Sequence, residues 1–550
     1  MNLHKSLGTW RSLYAIVMLA AVTPGIARAA IPPSERDVLV AIYNSAGGTG
    51  WGSQAGWLDV PGTECTWAGV GCDAAGEHVT NLSLDSNGLR GTLPPSLSGL
   101  PHLISFGASF NGFLTGSIPS LTGLTELESF AANFNQFDGT LPSLEGLVNL
   151  RSFSVFHNHL TGPIPALSGL VQLQSLQVSE NQLSGPLPSL EGLGSLLYFI
   201  ASSNQLSGDI PSLAGLTGLQ TFDVSSNQLD GSIGSLQGLT NLHVFSAWGN
   251  HLTGNIPTLS GLTNLSDFEV FSNNLGGAVP DIDGLVNLQA FNVSDNQLTG
   301  ALPSFSGMTN LVSFAASGNQ LTGTIPTLSD LPNLELYLVG DNQLTGTIPA
   351  ITGVPSLVWF AVNGNHLDGN LPSLEGMTNL ELFLVGSNQL SGSIPLLDNL
   401  THLEWFDVGS NQLTGNLPSL ASLSSLTYFQ ARSNQLTGTV PPLAGLTNLQ
   451  FYFVDGNQLV GSLPSLAGLV HLRMFRAGNN QFTGALPALP SPSVLEPGGS
   501  NVCPNNLDLV EAPAWDVITG DTPWYLPCTL IYSDGFDGDG PAGAQPKTAG

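Results

Sequence analysis

Seven large side chains recur at 23-residue spacing near the C-terminal end of the chain: Leu336, Trp359, Leu382, Trp405, Tyr428, Phe451 and Met474. Leu338, Leu384 and Phe453 each stand two residues after one of them. Aromatic side chains and Met are enriched at the cores of interfaces, and rings suit both protein hot spots and sugar faces. The chemistry such a set supports is non-covalent recognition. Asp407, Arg432, Asp455 and Arg476 fall beside it and would form a charged rim. One segment, LELFLVG (380–386), shows the difficulty: Leu382 and Leu384 alternate with Phe383 and Val385, so both faces of a strand there would be apolar.

Covalent chemistry has little support. The chain has no P-loop, HExxH or G-x-S-x-G motif. Ser is so abundant that a Ser-His-Asp trio close in space would reflect composition. His157 and His159 flank Asn158 in a turn-like context, which suits a solvated turn better than a metal site. D-G-F-D-G-D-G (534–540) lacks a full calcium-loop pattern. The expectation is a protein that is not an enzyme and holds no cofactor or metal.

What positions the large side chains is a repeat. The Asn of a recurring N-x-L phrase falls at Asn87, Asn111 and Asn135, then every 23 residues from Asn158 to Asn480, giving 18 markers with two first intervals of 24. Fixed spacing over such a length specifies one solenoid rather than several globules. In the unit 288–310, LQAFNVSDNQLTGALPSFSGMTN, positions 3 to 7 alternate and carry β-formers, which predicts a short strand. Gly at position 13 and Pro at 16 predict an extended or turn-like return path. The Asn at position 9 points inward, where its amide must find backbone partners. Stacked parallel strands at about 4.8 Å per coil give a sheet on the order of 85 Å along its arc.

Position 4 is aromatic from Phe106 to Phe475, Leu176 excepted, and shares a face with Val or Ala at position 6. Period-two alternation makes this column a stacked core. Positions 3, 5 and 7 then face outward. Early units place small polar groups there, including Asn81, Ser83, Ser105, Ser129 and Ser152. The late units replace them with the apolar column, so Leu382 and Leu384 lie on the face opposite Phe383. Self-packing along that column is the competing explanation for it. A smaller outward set, Phe156, Trp248 and Phe271 with Tyr198 and Ile200, is too scattered to favour a site.

N-Q-L-T-G-x-I/L-P resembles the plant-type leucine-rich repeat of receptor kinases, receptor-like proteins and polygalacturonase inhibitors. ECTWAGVGCD (64–73) resembles that family's N-terminal cap at Cys65, Trp67, Gly69, Val70 and Cys72. The likeness covers about 34–490 and implies a leucine-rich-repeat solenoid with a concave parallel sheet. The chain departs from the pattern in having one residue fewer after the Pro and Phe instead of Leu at position 4. It shows neither a kinase region nor a transmembrane span, so receptor signalling does not carry over.

Residues 1–29 resemble an export signal: His4, Lys5 and Arg11, then an apolar run from Leu13 to Val22, then Ala27-Arg28-Ala29. Its style, and the ending IYSDGFDGDG (531–540), resemble secreted bacterial proteins. Three of the ten basic residues fall in this leader and all 39 acidic ones after it, so a processed chain has a formal charge of −32. Such a chain repels phosphate backbones, which excludes nucleic acid as a partner. An elongated fold keeps its ends apart, so Cys65 pairs with Cys72 and Cys503 with Cys528. The expected organisation is a signal (1–29), an N-terminal cap (30–78) with a helix over Ser34 to Tyr43 capped by Ser34, coils (79–490), a second cap (491–530) and a disordered tail (531–550).

These features point to an exported, secreted or periplasmic binding protein that recognises a protein or glycan through the concave face of its C-terminal repeats. A self-associating envelope or adhesive spacer is the alternative. Ice binding through Thr at position 12 is weaker, because Asp138, Asp230, Gly276, Asp368 and Val460 interrupt that array. A polysaccharidase inhibitor follows from the resemblance alone.

Overall fold

The computed structural model describes residues 30–529; the expected signal and tail lie outside them. The repeat builds the solenoid its spacing implies. Eighteen short strands, from Val79–Ser83 to Met474–Arg476, pair in parallel, each residue opposite its equivalent one coil away, as in Leu382↔Trp405 and Phe383↔Phe406. Val70–Cys72 adds an antiparallel strand at the N-terminal edge, making a 19-stranded sheet. The return path is extended, with short segments such as Thr299–Ala301 and Gln320–Thr322 pairing in parallel on another side. Gly300, at position 13, adopts φ +82°, a left-handed turn that a β-carbon would strain.

Two columns hold the interior. Phe291, Phe314, Tyr337, Phe360 and Phe383 are fully buried, with successive ring centroids 5.6–5.9 Å apart. Beside them runs the Asn ladder. Asn296 Nδ2 donates to the carbonyls of Val270, Val293 and Ser294 at 3.0, 3.2 and 3.0 Å, and its Oδ1 accepts from Leu275 N–H at 2.9 Å. One side chain thus ties two coils together and satisfies backbone groups that the turn leaves unpaired. A nineteenth rung, Asn505, lies in the C-terminal region and donates to Ala477 and Val502 carbonyls. Its interval from Asn480 is 25 residues, which hides it from a 23-residue count.

Both ends are covered. The helix Pro33–Ser45 buries Leu39 and Ile42, and Tyr43, Trp51, Trp57 and Trp67 form one ring cluster with centroids 4.9–5.7 Å apart. Pro32, not Ser34, occupies the N-cap, and no side chain caps the helix; proline preset for the first turn moves the start forward. At the other end Trp515, Ile518 and Trp524 are buried. The two disulfides are Cys65–Cys72 and Cys503–Cys528.

Tyr337 and Tyr452 carry hydroxyls into the ring column, where neither finds a hydrogen-bond partner among the described residues. Burial pushes both phenols far above their usual range. Tyr337→Phe and Tyr452→Phe are each expected to stabilise the chain by about 1 kcal/mol, since a stranded buried hydroxyl costs roughly that or more. A raised denaturation midpoint at unchanged slope checks it.

Candidate functional site

The register places the late apolar column on the face of the sheet turned away from the core. Leu336, Leu382, Trp405, Tyr428, Phe451 and Met474 are half-buried, and Trp359 is 37% exposed. Their strand neighbours Phe360, Phe383, Phe406 and Phe429 are fully buried. The two apolar phases of LELFLVG therefore serve different faces: Phe383 fills the core, and Leu382 and Leu384 line the outside.

Along this face the side chains touch one another. Trp405 stacks on Tyr428 with centroids 4.8 Å apart, and Tyr428 meets Phe451 at 5.9 Å. Phe453 departs from the expectation of an open contact residue. It is 8% exposed, covered edge-on by Tyr428 at 5.6 Å and by the Arg476 guanidinium 5.4 Å from its ring. Large neighbours on adjacent strands bury a side chain even on the outward face. Self-packing is thus part of the column's role, most of all at its C-terminal end.

The acids expected at the rim are partly built into the surface. Asp407 accepts from Gly409 N–H at 2.8 Å and from Gln430 Nε2 at 2.8 Å, while Gln430 Oε1 accepts from the Tyr428 hydroxyl at 2.9 Å. Burial raises the Asp407 carboxyl above its ordinary range, and burial with the Asp407 charge pushes Tyr428 up to about 12. Asp455 is raised by burial too, although the Arg432 and Arg476 guanidiniums oppose the shift. This network orients the Tyr428 ring, as a recognition surface needs.

The earlier outward set is more connected than its spacing suggests. Trp248 and Phe271 stack at 5.1 Å, and Tyr198 donates to Gln220 Oε1 at 2.7 Å. A second aromatic group escaped the sequence reading. Phe110 and Phe134 stack at 4.5 Å, and Phe134 meets His157 at 4.8 Å beside a groove of about 540 Å³ lined by Gln136, His159 and Glu180. Phe110, Phe134, His157 and Glu180 occupy position 8, whose backbone is left-handed (φ 58° at Phe110), where most coils use Ser, Asp or Gly. The departure from small turn residues was the available signal. His157 Nδ1 lies 2.6 Å from Glu180 Oε2, and among the described residues no cluster of three potential metal ligands occurs.

The Thr array has a local task. Thr299, Thr322 and Thr345 each donate a hydroxyl to the glycine carbonyl of the preceding coil at 3.3 Å. Their donors are occupied in joining coils.

The family model for the Leucine Rich Repeat matches residues 78–100, the first coil. No curated protein matches the chain. Among solved structures, the chain is similar to the leucine-rich-repeat ectodomain of the Arabidopsis thaliana receptor kinase GASSHO1/SCHENGEN3 in complex with CASPARIAN STRIP INTEGRITY FACTOR 2, at 29% identity and a TM-score of 0.63. That match covers 86% of this chain and 64% of the ectodomain, so this chain spans less than two thirds of its length. The plant peptide hormone receptor RGFR1 with RGF2 gives 28% identity, a TM-score of 0.64 and 80% of each chain. The Arabidopsis receptor kinase HAESA, solved with the peptide hormone IDA and the co-receptor SERK1, gives 26%, a TM-score of 0.61, and 88% and 96%. The fold is a leucine-rich-repeat solenoid. Among the described residues no helix is long and apolar enough to cross a membrane.

Proposed function

We propose that this chain is a non-enzymatic extracellular binding protein that takes a protein or glycan partner on the outer face of its last seven sheet strands. The observation that carries the proposal is the in-register column from Leu336 to Met474, facing away from the core with Trp359 more than one third exposed. A contiguous apolar stripe of this extent on a solvent face marks an interaction surface. Solved ectodomains of the same architecture hold peptide ligands, which supports recognition over a purely structural role. Trp359, Trp405 and Tyr428 supply the anchors, with Leu336, Leu382, Leu384, Phe451 and Met474 around them, Asp407 holding the Gln430 side chain that accepts from the Tyr428 hydroxyl, and Phe453 packed against the Tyr428 ring. The two disulfides suit an oxidising compartment.

Trp405→Ser combined with Tyr428→Ser is expected to lower affinity for a captured partner at least tenfold, with the circular dichroism spectrum unchanged. Undiminished binding by a folded double variant removes the site. Light scattering identifies a second copy as the partner if the native chain is a dimer that the same variant dissolves.

A further inference from the structure

No Lys or Arg occurs between Arg151 and Arg432, and 19 acidic residues fall in that run. Three of them flank the apolar column. Glu335, Glu381 and Glu404 immediately precede Leu336, Leu382 and Trp405, and so stand along one side of the stripe. Glu335 and Glu404 are exposed, and Glu381 is half-buried. Glu381 accepts from Trp359 Nε1 at 3.3 Å, which holds a carboxylate beside the most exposed ring of the stripe. Among the described residues none of the three forms an ion pair.

The cations beyond them are already engaged, Arg432 by the charges of Asp407 and Asp455. Arg473 bonds Glu496 and lies 5.8 Å from the Phe451 ring, and Arg476 donates to the Gly499 carbonyl at 3.2 Å while covering Phe453. The field over Leu336, Trp359, Leu382 and Trp405 is therefore uncompensated and negative. Carboxylates beside indole rings attract a cation twice over, by charge and through the ring face.

We infer that the occupant of this face is a basic peptide segment of another protein, docked in extended form with Lys or Arg side chains reaching the glutamates and apolar ones meeting the column. The inference rests on the binding role proposed above and names the chemistry of its partner. Five coil steps from Leu336 to Phe451, at about 4.8 Å each, span about 24 Å, the reach of about seven extended residues. Alternation in an extended segment presents one side-chain set to the sheet and leaves the other lateral. A neutral glycan gains nothing from the carboxylates, and an acidic peptide is repelled.

The test uses the full chain and a fluorescein-labelled heptapeptide alternating Lys and Leu, with a Glu-Leu heptapeptide for comparison, read by anisotropy. The basic peptide is expected to bind, to lose affinity as salt rises, and to bind at least tenfold more weakly to a Glu335→Gln, Glu381→Gln, Glu404→Gln variant. Gln keeps the acceptor for Trp359 while removing the charge. A matched variant, Asp138→Asn, Asp230→Asn, Asp368→Asn, removes three exposed charges away from the stripe and is expected to stay within twofold of the native chain. Equal weakening in both variants overturns the inference, because the attraction then belongs to the whole acidic chain. If xylohexaose or the Glu-Leu peptide binds, loses affinity on Trp405→Ser, and is indifferent to the glutamates, the cationic partner is rejected while the binding face stands. If the basic peptide binds equally well to a folded Trp359→Ala, Trp405→Ala variant, the face itself is rejected.

Discussion

Asn296→Leu is expected to cost about 3–5 kcal/mol of unfolding free energy and to broaden or split the denaturation transition. Leucine has nearly the right volume, so the loss is polar rather than steric. The substitution leaves the Leu275 N–H without its acceptor and takes one of two donors from each of the Val270, Val293 and Ser294 carbonyls, which keep Asn273 Nδ2, Asn319 Nδ2 and the Ser272 N–H. The stranded N–H costs roughly 1–3 kcal/mol, and each of the three lost bonds adds about 0.5–1.5 kcal/mol. Splitting follows from the architecture: a coil touches only its neighbours, so a weakened junction lets the two sides unfold separately. Asn310 is the control. It also bonds the preceding coil, donating to the Val286 carbonyl at 2.9 Å, but from an exposed position where water replaces the lost bond. Asn310→Leu is expected to cost less than about 1 kcal/mol. Similar losses for the two, measured by urea denaturation, would refute the interior ladder as the main junction.

The same contrast explains what the sequence disclosed. Spacing of an inward Asn is legible because every coil must repeat it or lose the junction, and direction along a strand is legible because side chains alternate. Exposure is not a matter of direction. Phe453 points outward and is buried all the same, since Tyr428 and Arg476 arrive from neighbouring coils. Asp407, expected at a rim, is instead bonded to Gly409 and Gln430 within the surface. Asn505 was hidden by a 25-residue interval, and Ser34 was displaced from the cap by Pro33 because an N–H-free residue fits the first turn. Phe110 and Phe134 sit at a left-handed turn position, where neighbouring coils bring their rings into a stack that no single repeat encodes. Local periodicity thus carries the fold and the two faces, whereas contacts between coils decide which outward residues stay available to a partner.

Phe383→Ala and Leu382→Ala, adjacent in the chain, are expected to differ by several kcal/mol. Phe383 is fully buried between Phe360 at 5.6 Å and Phe406 at 5.7 Å, so its removal loses both ring contacts and leaves a void in the column. Truncating a buried Phe costs about 3–5 kcal/mol. Rigid coils on either side limit collapse of the void, which places the cost toward the upper end. Leu382 lies half-buried on the opposite face between Trp359 and Trp405, and its truncation is expected to cost about 1 kcal/mol or less. Binding should reverse the order: Leu382→Ala weakens the complex of a folded chain, while Phe383→Ala acts only through stability. If denaturation instead shows Leu382→Ala as the costly substitution, the side chains have exchanged faces and the outward column cannot be the docking surface.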